Sequence, residues 1–441
     1  MNPFIDHWLL DRDITHLNHG SFGACPIPVL AVQDEWRRRM ERNPVGFFGR
    51  ELDGRLDAAR ETLGRFVGVA ADDLALLPNV TIAVNTVLRA LPIDPGDEIL
   101  TSDHEYNACR TALEFVAQRR GARIVVAALP FPASSAEELA AAFLAGVTAR
   151  TRLALLDHVT SPTGLVMPVG AIVRELEGRG ITTLVDGAHA PGMLPVSIAE
   201  LGCAFYAGNC HKWICAPKGV GFLYVRADRQ AALRPLVISH GANARRRDRP
   251  RFRLEFDWTG THDPSGALAL PAALDFMGDL LPGGWPELQA HNHALVCEGR
   301  RLLCAALDIA PPCPEELLGS LAAIPLPWAE EAAAGDGQAA TAGEVPAAGT
   351  GQAAAAGGVP AAATTPPRRV QAAAEEDHAP RAVPPVDDPL ERLLFDHYRI
   401  VVPVFRWPQP RLRLLRISAQ IYNRLEDYQR LADALRMLLR P

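Results

Sequence analysis

Apolar side chains recur with two different spacings along this chain, and the change of spacing predicts alternating helices and strands. Helical spacing begins near Pro28, in VLAVQDEWRRRMER, and returns over residues 56–67. From residue 74 onward, short apolar runs that suit buried strands alternate with amphipathic helical stretches. The predicted strands are LALLP, DEILTSD, ARIVVAAL, TRLALLDHV and ITTLVDG. This rhythm predicts an α/β fold with a large, doubly wound, mainly parallel sheet that binds ligands at the carboxyl ends of its strands.

The composition changes over residues 329–388, which are rich in Ala, Gly and Pro and nearly lack large apolar side chains. This stretch contains the near-repeat GQAATAGEVPAA and GQAAAAGGVPAA. Such a composition cannot bury enough surface to offset its chain entropy, so we predict a disordered insertion. The other residues are predicted to form an N-terminal segment, a large cofactor-binding domain and a smaller α+β C-terminal domain. Their expected bounds are 1–30, 31–280, and 281–328 together with 389–441.

The overall composition is that of a soluble globular protein. The chain of 441 residues is 48% hydrophobic and 22% charged, with a net charge of −7. This balance gives no reason to expect a nucleic acid or membrane partner. The arginine tract RRRDRPRFR is interpreted as a solvated loop. The eight cysteines are scattered, lack a Cys-x-x-Cys pair and predict neither a disulfide scaffold nor a metal site, which favours the reducing cytoplasm.

Two lysines, Lys212 and Lys218, are the only ones in a chain that holds 44 Lys and Arg residues in total. An arginine-rich sequence that keeps two lysines six residues apart indicates sites that need an amine. Asp186 ends the predicted strand ITTLVDG and should lie at the ligand-binding edge of the sheet. A lysine that forms a Schiff base and a carboxylate that pairs with a pyridine nitrogen are the two groups that pyridoxal 5'-phosphate requires.

Six motifs in order along the chain resemble one family: LNHGSFGACP, PNVTIAVNTVL, DHEYNACR, VDGAHAPG, HKWICAPKGVGFLYV and FDWTGTHDPS. They resemble the class V aminotransferase-fold enzymes of fold type I, and within them the isopenicillin N epimerase-like branch. The resemblance implies that Lys212 is the Schiff-base lysine and that Asp186 is the partner of the pyridinium. It also implies that His189 approaches the phenolic oxygen and that His104 stacks on the ring; Lys218 receives no role.

The resemblance extends to the phosphate and the substrate. Val80 and Thr81 open a predicted helix, whose N-terminus suits a phosphate group. Arg416, in LRISAQIYN, is expected to bind the substrate α-carboxylate with a bidentate guanidinium. Thr261 resembles a phosphate contact supplied by the partner subunit, which implies a homodimer with a shared site. Five further positions complete the expected set: Ser161, Asn209 and His211 at the cofactor, and Asn18 with His19 of the N-terminal segment at the substrate.

The sequence leaves the reaction open among several outcomes at the α-carbon of a small amino-acid substrate. An isopenicillin N epimerase-like reaction, begun by Lys212 removing the α-proton, is the leading interpretation. A C–S β-lyase of the hercynylcysteine sulfoxide lyase type and an aminotransferase are the alternatives. Cysteine desulfurase chemistry is disfavoured because Ser161 and Asn209 depart from that pattern and no cysteine follows Cys313. A non-catalytic cofactor-binding protein is also disfavoured, because the expected lysine, aspartate and arginine are all present.

Overall fold

The fold is taken from a computed structural model, which describes residues 2–327, 388–408 and 412–439. The described residues all fall in one compact unit. Apart from Asp388, the predicted disordered insertion at 329–388 lies outside the described residues. The predicted division into a large and a small domain stays a prediction, although the strands do form separate sheets.

Strands and helices alternate through most of the described chain. The strands are β1 Thr15–His16, β2 Leu74–Leu77, β3 Glu98–Ser102, β4 Arg123–Ala127, β5 Thr151–Asp157, β6 Thr182–Gly187, β7 Phe205–Asn209, β8 Gly221–Val225, β9 Leu321–Pro325, β10 Ile400–Val401, β11 Val404–Arg406 and β12 Arg413–Ser418. The helices are α1 His19–Phe22, α2 Ile27–Arg42, α3 Pro44–Gly46, α4 Leu52–Val67, α5 Val80–Ala90, α6 Asn107–Arg120, α7 Ala136–Leu144, α8 Val169–Gly178, α9 Ile198–Leu201, α10 Ala227–Gln230, α11 Arg251–Phe256, α12 Ser265–Leu268, α13 Leu270–Gly278, α14 Gly284–Leu307, α15 Pro389–Tyr398 and α16 Leu425–Leu438.

The central sheet has seven strands in the order β2-β8-β7-β6-β5-β3-β4. Strands β3 to β7 run parallel, whereas β8 pairs antiparallel with both β7 and β2. Successive side chains of β6 enter opposite cores, since Leu184 packs with α5 and α6 while Val185 packs with α7 and α8. Helices therefore cover both faces, and the predicted doubly wound, mainly parallel α/β fold is confirmed.

A second sheet, β11-β12-β9, is antiparallel and packs against α14, which in turn packs against α16. The N-terminal segment joins this part of the molecule through β1, which pairs in parallel with β10. Strand β12 carries Arg416, and its backbone amide at Ser418 donates to the Leu17 carbonyl. The N-terminal segment is thus held beside the strand that carries the expected carboxylate-binding arginine. No helix among the described residues is long and apolar enough to cross a membrane.

The interpretation of the arginine tract as a solvated loop holds for residues 245–248, which are exposed, but not for Arg253. Arg253, in α11, is only 4% exposed and forms ion pairs with Asp57, Asp72 and Asp257. Arg249 pairs with Asp57 and Asp257 as well. These arginines fold back onto acidic groups of the same chain, because a buried guanidinium requires opposite charge around it.

Candidate active site

The candidate site lies where the parallel strands end. Asp157 and Asp186 are paired at the ends of β5 and β6, and Asn209 ends the next strand, β7. Lys212 follows three residues later, in the loop that leads to β8. Because the carboxyl ends of parallel strands share one edge, the fold brings these groups together from distant positions in the sequence.

The amine of Lys212 lies in a desolvated position, with its Nζ atom 3.1 Å from Nε2 of His189. Burial, followed by the charge of Arg416, lowers the pKa of Lys212 to about 8. Burial also lowers the pKa of His189, so its ring is neutral. The indole of Trp213 can only donate, and it donates to Nδ1 of His189 over 3.4 Å, which places the imidazole proton on Nε2 facing Lys212. A neutral Lys212 amine accepts that proton's hydrogen bond, and such an amine is a nucleophile.

Asp186 is 3% exposed and accepts two hydrogen bonds. Its Oδ1 accepts from the Ala188 amide at 2.9 Å, and its Oδ2 accepts from the thiol of Cys109 at 3.2 Å. Burial raises the pKa of Asp186, while these donors and the charge of Lys212 oppose that shift. Burial raises the pKa of Cys109 well above its usual range, so the thiol keeps its proton and acts as the donor.

Two more buried carboxyl groups, Glu105 and Asp157, surround Asp186. Burial, with the charge of Asp186, raises the pKa of Glu105 to about 8. Burial and the charge of Glu105 raise the pKa of Asp157 well above its usual range. Three carboxylates cannot all be ionised in so small a buried volume. Glu105 also accepts two hydrogen bonds, from the Thr101 hydroxyl and the Tyr106 amide, so the donors alone do not select the ionised group. We take Asp186 as ionised because the charge of Lys212 also favours its carboxylate, and Glu105 and Asp157 as protonated at neutral pH.

The ring of His104 is fully buried and makes one strong hydrogen bond, from Nδ1 to the Thr163 hydroxyl at 2.8 Å. Its Nε2 makes no hydrogen bond within the part of the chain that the structure describes. Burial lowers the pKa of His104 to about 3, so the ring is neutral. Trp407, just after β11, packs edge-on against it with ring centres 4.2 Å apart. The unsatisfied nitrogen of a buried ring calls for a further partner, and the stacking role that the sequence predicted for His104 stays a prediction.

The N-terminus of α5 is partly satisfied by side chains. The side chain of Asn79 accepts from the Ile82 amide at 2.9 Å, and that of Asn209 accepts from the Val80 amide at 3.0 Å. The Val80 amide, which was predicted to bind phosphate, is thus used within the chain to tie α5 to β7. Thr81 is the residue of the predicted pair that stays a candidate for the phosphate.

Arg416 is 7% exposed and its guanidinium joins two segments. One terminal nitrogen donates to the backbone oxygen of Ser161 and to its hydroxyl, and the other donates to the Ser21 hydroxyl at 3.0 Å. The Ser21 hydroxyl in turn donates to Oδ1 of Asn18 at 2.6 Å. Burial lowers the pKa of Arg416 to about 10, so it stays charged at neutral pH. Arg416 thus contacts Ser161 directly and Asn18 through Ser21, which was not among the predicted residues, and the predicted roles of Arg416, Ser161 and Asn18 stay predictions.

Three predicted residues make other contacts in the structure. Both ring nitrogens of His19 are engaged, one with the Tyr422 hydroxyl at 2.9 Å and one with the backbone oxygen of Lys212 at 3.1 Å. His19 therefore supports the backbone of Lys212, and its predicted contact with a substrate stays a prediction. His211 bonds the Val220 carbonyl at 3.0 Å. Thr261 is exposed and lines a cavity with residues of β2 and β8, so its assignment to a partner subunit's site stays a prediction.

The donor set suits pyridoxal phosphate. Lys212 offers a nucleophilic amine, Asp186 an ionised carboxylate, and His104 a buried ring with an unsatisfied Nε2. Thr81 would hold the phosphate and His189 would approach the ring's phenolic oxygen. These features define the site of a fold type I pyridoxal phosphate enzyme.

Comparisons with known proteins agree with this site. Residues 26–306 match the family model of Aminotransferase class-V. The chain is 34% identical to isopenicillin N epimerase of Streptomyces clavuligerus, covering 97% of this chain and 95% of the relative. It is 28% identical to a probable chloroplastic L-cysteine desulfhydrase of Arabidopsis thaliana, over 98% of this chain and 84% of that protein. The chain therefore belongs to the class V aminotransferase family, whose enzymes depend on pyridoxal phosphate.

A solved structure supports the fold at lower sequence similarity. A cystine C–S lyase in complex with its reaction product cysteine persulfide superposes with a TM-score of 0.71 at 19% identity, and 99% of each chain is covered. At this identity the likeness shows the fold alone.

Proposed function

We propose that this enzyme removes the α-proton of an amino acid and catalyses an isopenicillin N epimerase-like reaction. The observation that carries the proposal is the Lys212 amine, which lies 3.1 Å from Nε2 of His189 and whose pKa is lowered to about 8 by burial and by the charge of Arg416. An amine that loses its proton near neutral pH is suited to act as a base. The epimerase of Streptomyces clavuligerus, which matches nearly the whole chain, supports this choice among the reactions of the family.

Each residue has a distinct task in this proposal. Bound at the site, the cofactor ring supplies an electron sink that stabilises negative charge at the substrate α-carbon. Lys212 attaches the cofactor covalently, and its freed amine takes the α-proton. Arg416 binds the substrate carboxylate and so orients the α-carbon toward Lys212. Asp186 holds the positive charge on the ring nitrogen, and the neutral His104 covers one ring face.

Elimination at a C–S bond is the second candidate, because the plant L-cysteine desulfhydrase relative covers 98% of this chain. Transamination stays a third outcome of the same proton removal. Cysteine desulfurase chemistry has less support. All eight cysteines of the chain are buried, and each one whose pKa departs from the usual value has it raised by burial. A persulfide-forming cysteine needs an accessible thiolate instead.

One experiment separates these reactions. The cofactor-loaded enzyme is incubated in heavy water with isopenicillin N in one arm and with L-cysteine in another. Deuterium at the α-carbon with inversion and without loss of sulfur supports epimerisation. Release of sulfide and pyruvate from L-cysteine supports the lyase, and a keto acid that keeps the carbon skeleton supports transamination. Absence of α-exchange with every amino acid in a wider panel would contradict the proposal of proton removal.

We also propose a cytoplasmic homodimer in which Thr261 contacts the cofactor phosphate of the partner subunit. The exposed position of Thr261, on a bend rather than in the core, is compatible with this arrangement. Equilibrium sedimentation of the wild-type protein tests the dimer. Thr261→Val tests the contact, because it removes the hydroxyl while keeping the shape and should weaken cofactor binding without dissociating the subunits.

The covalent attachment of the cofactor should depend on pH through Lys212. Only a neutral amine attacks an aldehyde, and the pKa of Lys212 is about 8 where an ordinary lysine has 10.5. The rate of attachment to the apoenzyme should therefore rise about tenfold per pH unit below pH 8 and level off above it. Stopped-flow absorbance after mixing with pyridoxal phosphate measures this rate. A rate that still rises tenfold per unit between pH 9 and 10 would contradict the desolvated environment of Lys212.

Replacing Arg416 with alanine should weaken binding of amino acids by on the order of a hundredfold, because a charge-assisted, bidentate contact is lost. Arg416→Lys should restore only part of the affinity, since an ammonium lacks the planar fork. Spectral titration of the cofactor-loaded enzyme with an amino acid measures the effect. The decarboxylated amine of the same amino acid should bind almost equally to all three proteins.

Arg413 provides a matched control for Arg416, because it lies three residues earlier in β12 and its guanidinium is bound to Asp388 instead of Ser161. Arg413→Ala should leave the preference for the amino acid over the amine unchanged. Equal loss of affinity for amino acid and amine in Arg416→Ala would show that Arg416 is structural and that another group binds the carboxylate.

A further inference from the structure

The short helix α1 braces the backbone of the cofactor-binding lysine. His19, the first residue of α1, is fully buried and neutral, because burial lowers its pKa to about 3. A carbonyl can only accept, so Nε2 of His19 donates to the Lys212 oxygen and Nδ1 accepts from the Tyr422 hydroxyl. One turn of the N-terminal segment is thereby fastened to the loop between β7 and β8.

The residue that ends α1 lies directly on that loop. Gly23 has φ of +70°, and a Cβ atom there would lie 2.1 Å from the His211 oxygen and 2.8 Å from the Lys212 oxygen. Only glycine allows this backbone conformation and this approach together. The turn consisting of α1 and Gly23, residues 19–23, therefore packs backbone against backbone on the lysine loop, and we call it the bracing turn.

Lys218 makes a second contact between the bracing turn and the lysine loop. Its Nζ atom donates to the Gly23 oxygen at 2.7 Å, although the rest of its side chain is exposed. Lys218 belongs to the same loop as Lys212, six residues further on. The loop thus holds the bracing turn at both ends, through the Lys212 carbonyl and through the Lys218 ammonium.

The bracing turn also reaches the carboxylate-binding arginine. Ser21, in the middle of α1, accepts a hydrogen bond from a terminal nitrogen of Arg416 at 3.0 Å. The position of Ser21 relative to Lys212 is therefore set by the contacts of His19, Gly23 and Lys218. Any displacement of the turn changes the distance between the amine that takes the α-proton and the guanidinium that holds the carboxylate.

We propose that Lys218 is a positioning residue that fastens the bracing turn to the Lys212 loop and so fixes Arg416 relative to Lys212. A single carbonyl acceptor suits a compact ammonium better than a planar guanidinium, which is built for two acceptors. This role explains why an arginine-rich chain has a lysine at position 218. The expected effect of Lys218 on substrate binding rests on the proposed function, whereas its attachment of the bracing turn to the Lys212 loop does not.

The first test measures the fastening in the apoprotein, independently of any reaction. The Gly23 amide donates to the His19 oxygen at 2.8 Å, so its hydrogen exchange reports on opening of the turn. Lys218→Met keeps the side-chain length and removes the donor, and amides 19–23 should exchange on the order of tenfold faster. Arg12→Met is the matched control, because Arg12 is an exposed base of the same segment that pairs with Asp6. It should leave exchange in the turn unchanged.

The second test measures the consequence for substrate with the cofactor-loaded enzyme. Lys218→Met should raise the KM for an amino acid several-fold more than it lowers kcat, and it should leave binding of the decarboxylated amine unchanged. Lys218→Arg should recover part of both the exchange protection and the KM. Unchanged exchange of amides 19–23 in Lys218→Met would overturn the proposal, whatever the reaction is. Dissociation of subunits with unchanged exchange, measured by sedimentation, would overturn it as well and would place Lys218 at a subunit interface.

Discussion

Replacing Lys212 with alanine is expected to abolish covalent attachment of pyridoxal phosphate and to lower turnover by on the order of 10³- to 10⁴-fold. The variant loses both the nucleophile that holds the cofactor and the base that takes the α-proton. The neighbouring His189 is neutral but cannot replace an amine in covalent attachment, and burial lowers its pKa so far that it is a weak base. Absorbance of the bound cofactor and deuterium exchange at the α-carbon measure the two losses separately.

The same assignment can be checked in the wild-type protein. Borohydride reduction followed by peptide mapping should place the pyridoxyl group on Lys212, and the chain offers only one other lysine, Lys218. Lys218→Met should keep the covalent attachment, because its amine is bound to the Gly23 oxygen and not directed at the site. A pyridoxyl group found on Lys218 would show that the roles of the two lysines are reversed.

The fold was largely predictable because burial on both faces of a parallel sheet leaves a clear pattern. The five predicted strands correspond to β2 to β6, and the neighbouring side chains Leu184 and Val185 show why, since each enters a different core. Strands β7 and β8 were not predicted. The former, Phe205–Asn209, contains glycine and asparagine, which are depleted in strands, and it is stabilised by its neighbours on both sides.

Site residues were predictable from the sequence only where they belong to a recognisable motif. Lys212, Asp186 and Arg416 were predicted in this way, and the charges of Asp186 and Arg416 both shift the pKa of the Lys212 amine. The thiol of Cys109 bonds Asp186 across 77 positions, and Ser21 bonds Arg416 across 395. Such contacts depend on the tertiary fold and leave no periodic signal in the sequence.

Two local patterns did not reveal which group accepts the hydrogen bonds of a donor. The Val80 amide was expected at the phosphate, but the side chain of Asn209 accepts its hydrogen. Arg253 was expected in solvent, but it lies among Asp57, Asp72 and Asp257, which come from other segments. In both cases a distant polar group satisfies the donor, and the requirement that buried polar groups be paired is met across the fold.

The carboxyl groups around Asp186 determine where the negative charge of this buried cluster lies. Glu105 and Asp157 are taken as protonated, because burial and mutual repulsion raise their pKa values. Asp186 accepts from both the Ala188 amide and the Cys109 thiol, and it differs from Glu105 in that the charge of Lys212 also favours its ionised form. Donors of this kind stabilise the charged form of a carboxyl group. The negative charge in this cluster should therefore lie on Asp186, where it can hold a positive charge on the cofactor's ring nitrogen.

Asp186→Asn should lower turnover by on the order of 10²- to 10³-fold while cofactor affinity falls far less, because the phosphate and Lys212 contacts still hold the cofactor. Asp157→Asn is the matched control, since Asp157 is paired with Asp186 in the neighbouring strand. A neutral amide in place of an already protonated carboxyl should change turnover by less than about fivefold. Exchange of α-deuterium measures the turnover, and fluorescence titration measures the affinity for the cofactor. If Asp157→Asn is as damaging as Asp186→Asn, the charge is shared across the cluster, and if Asp186→Asn keeps wild-type turnover, Asp186 does not maintain the electron sink.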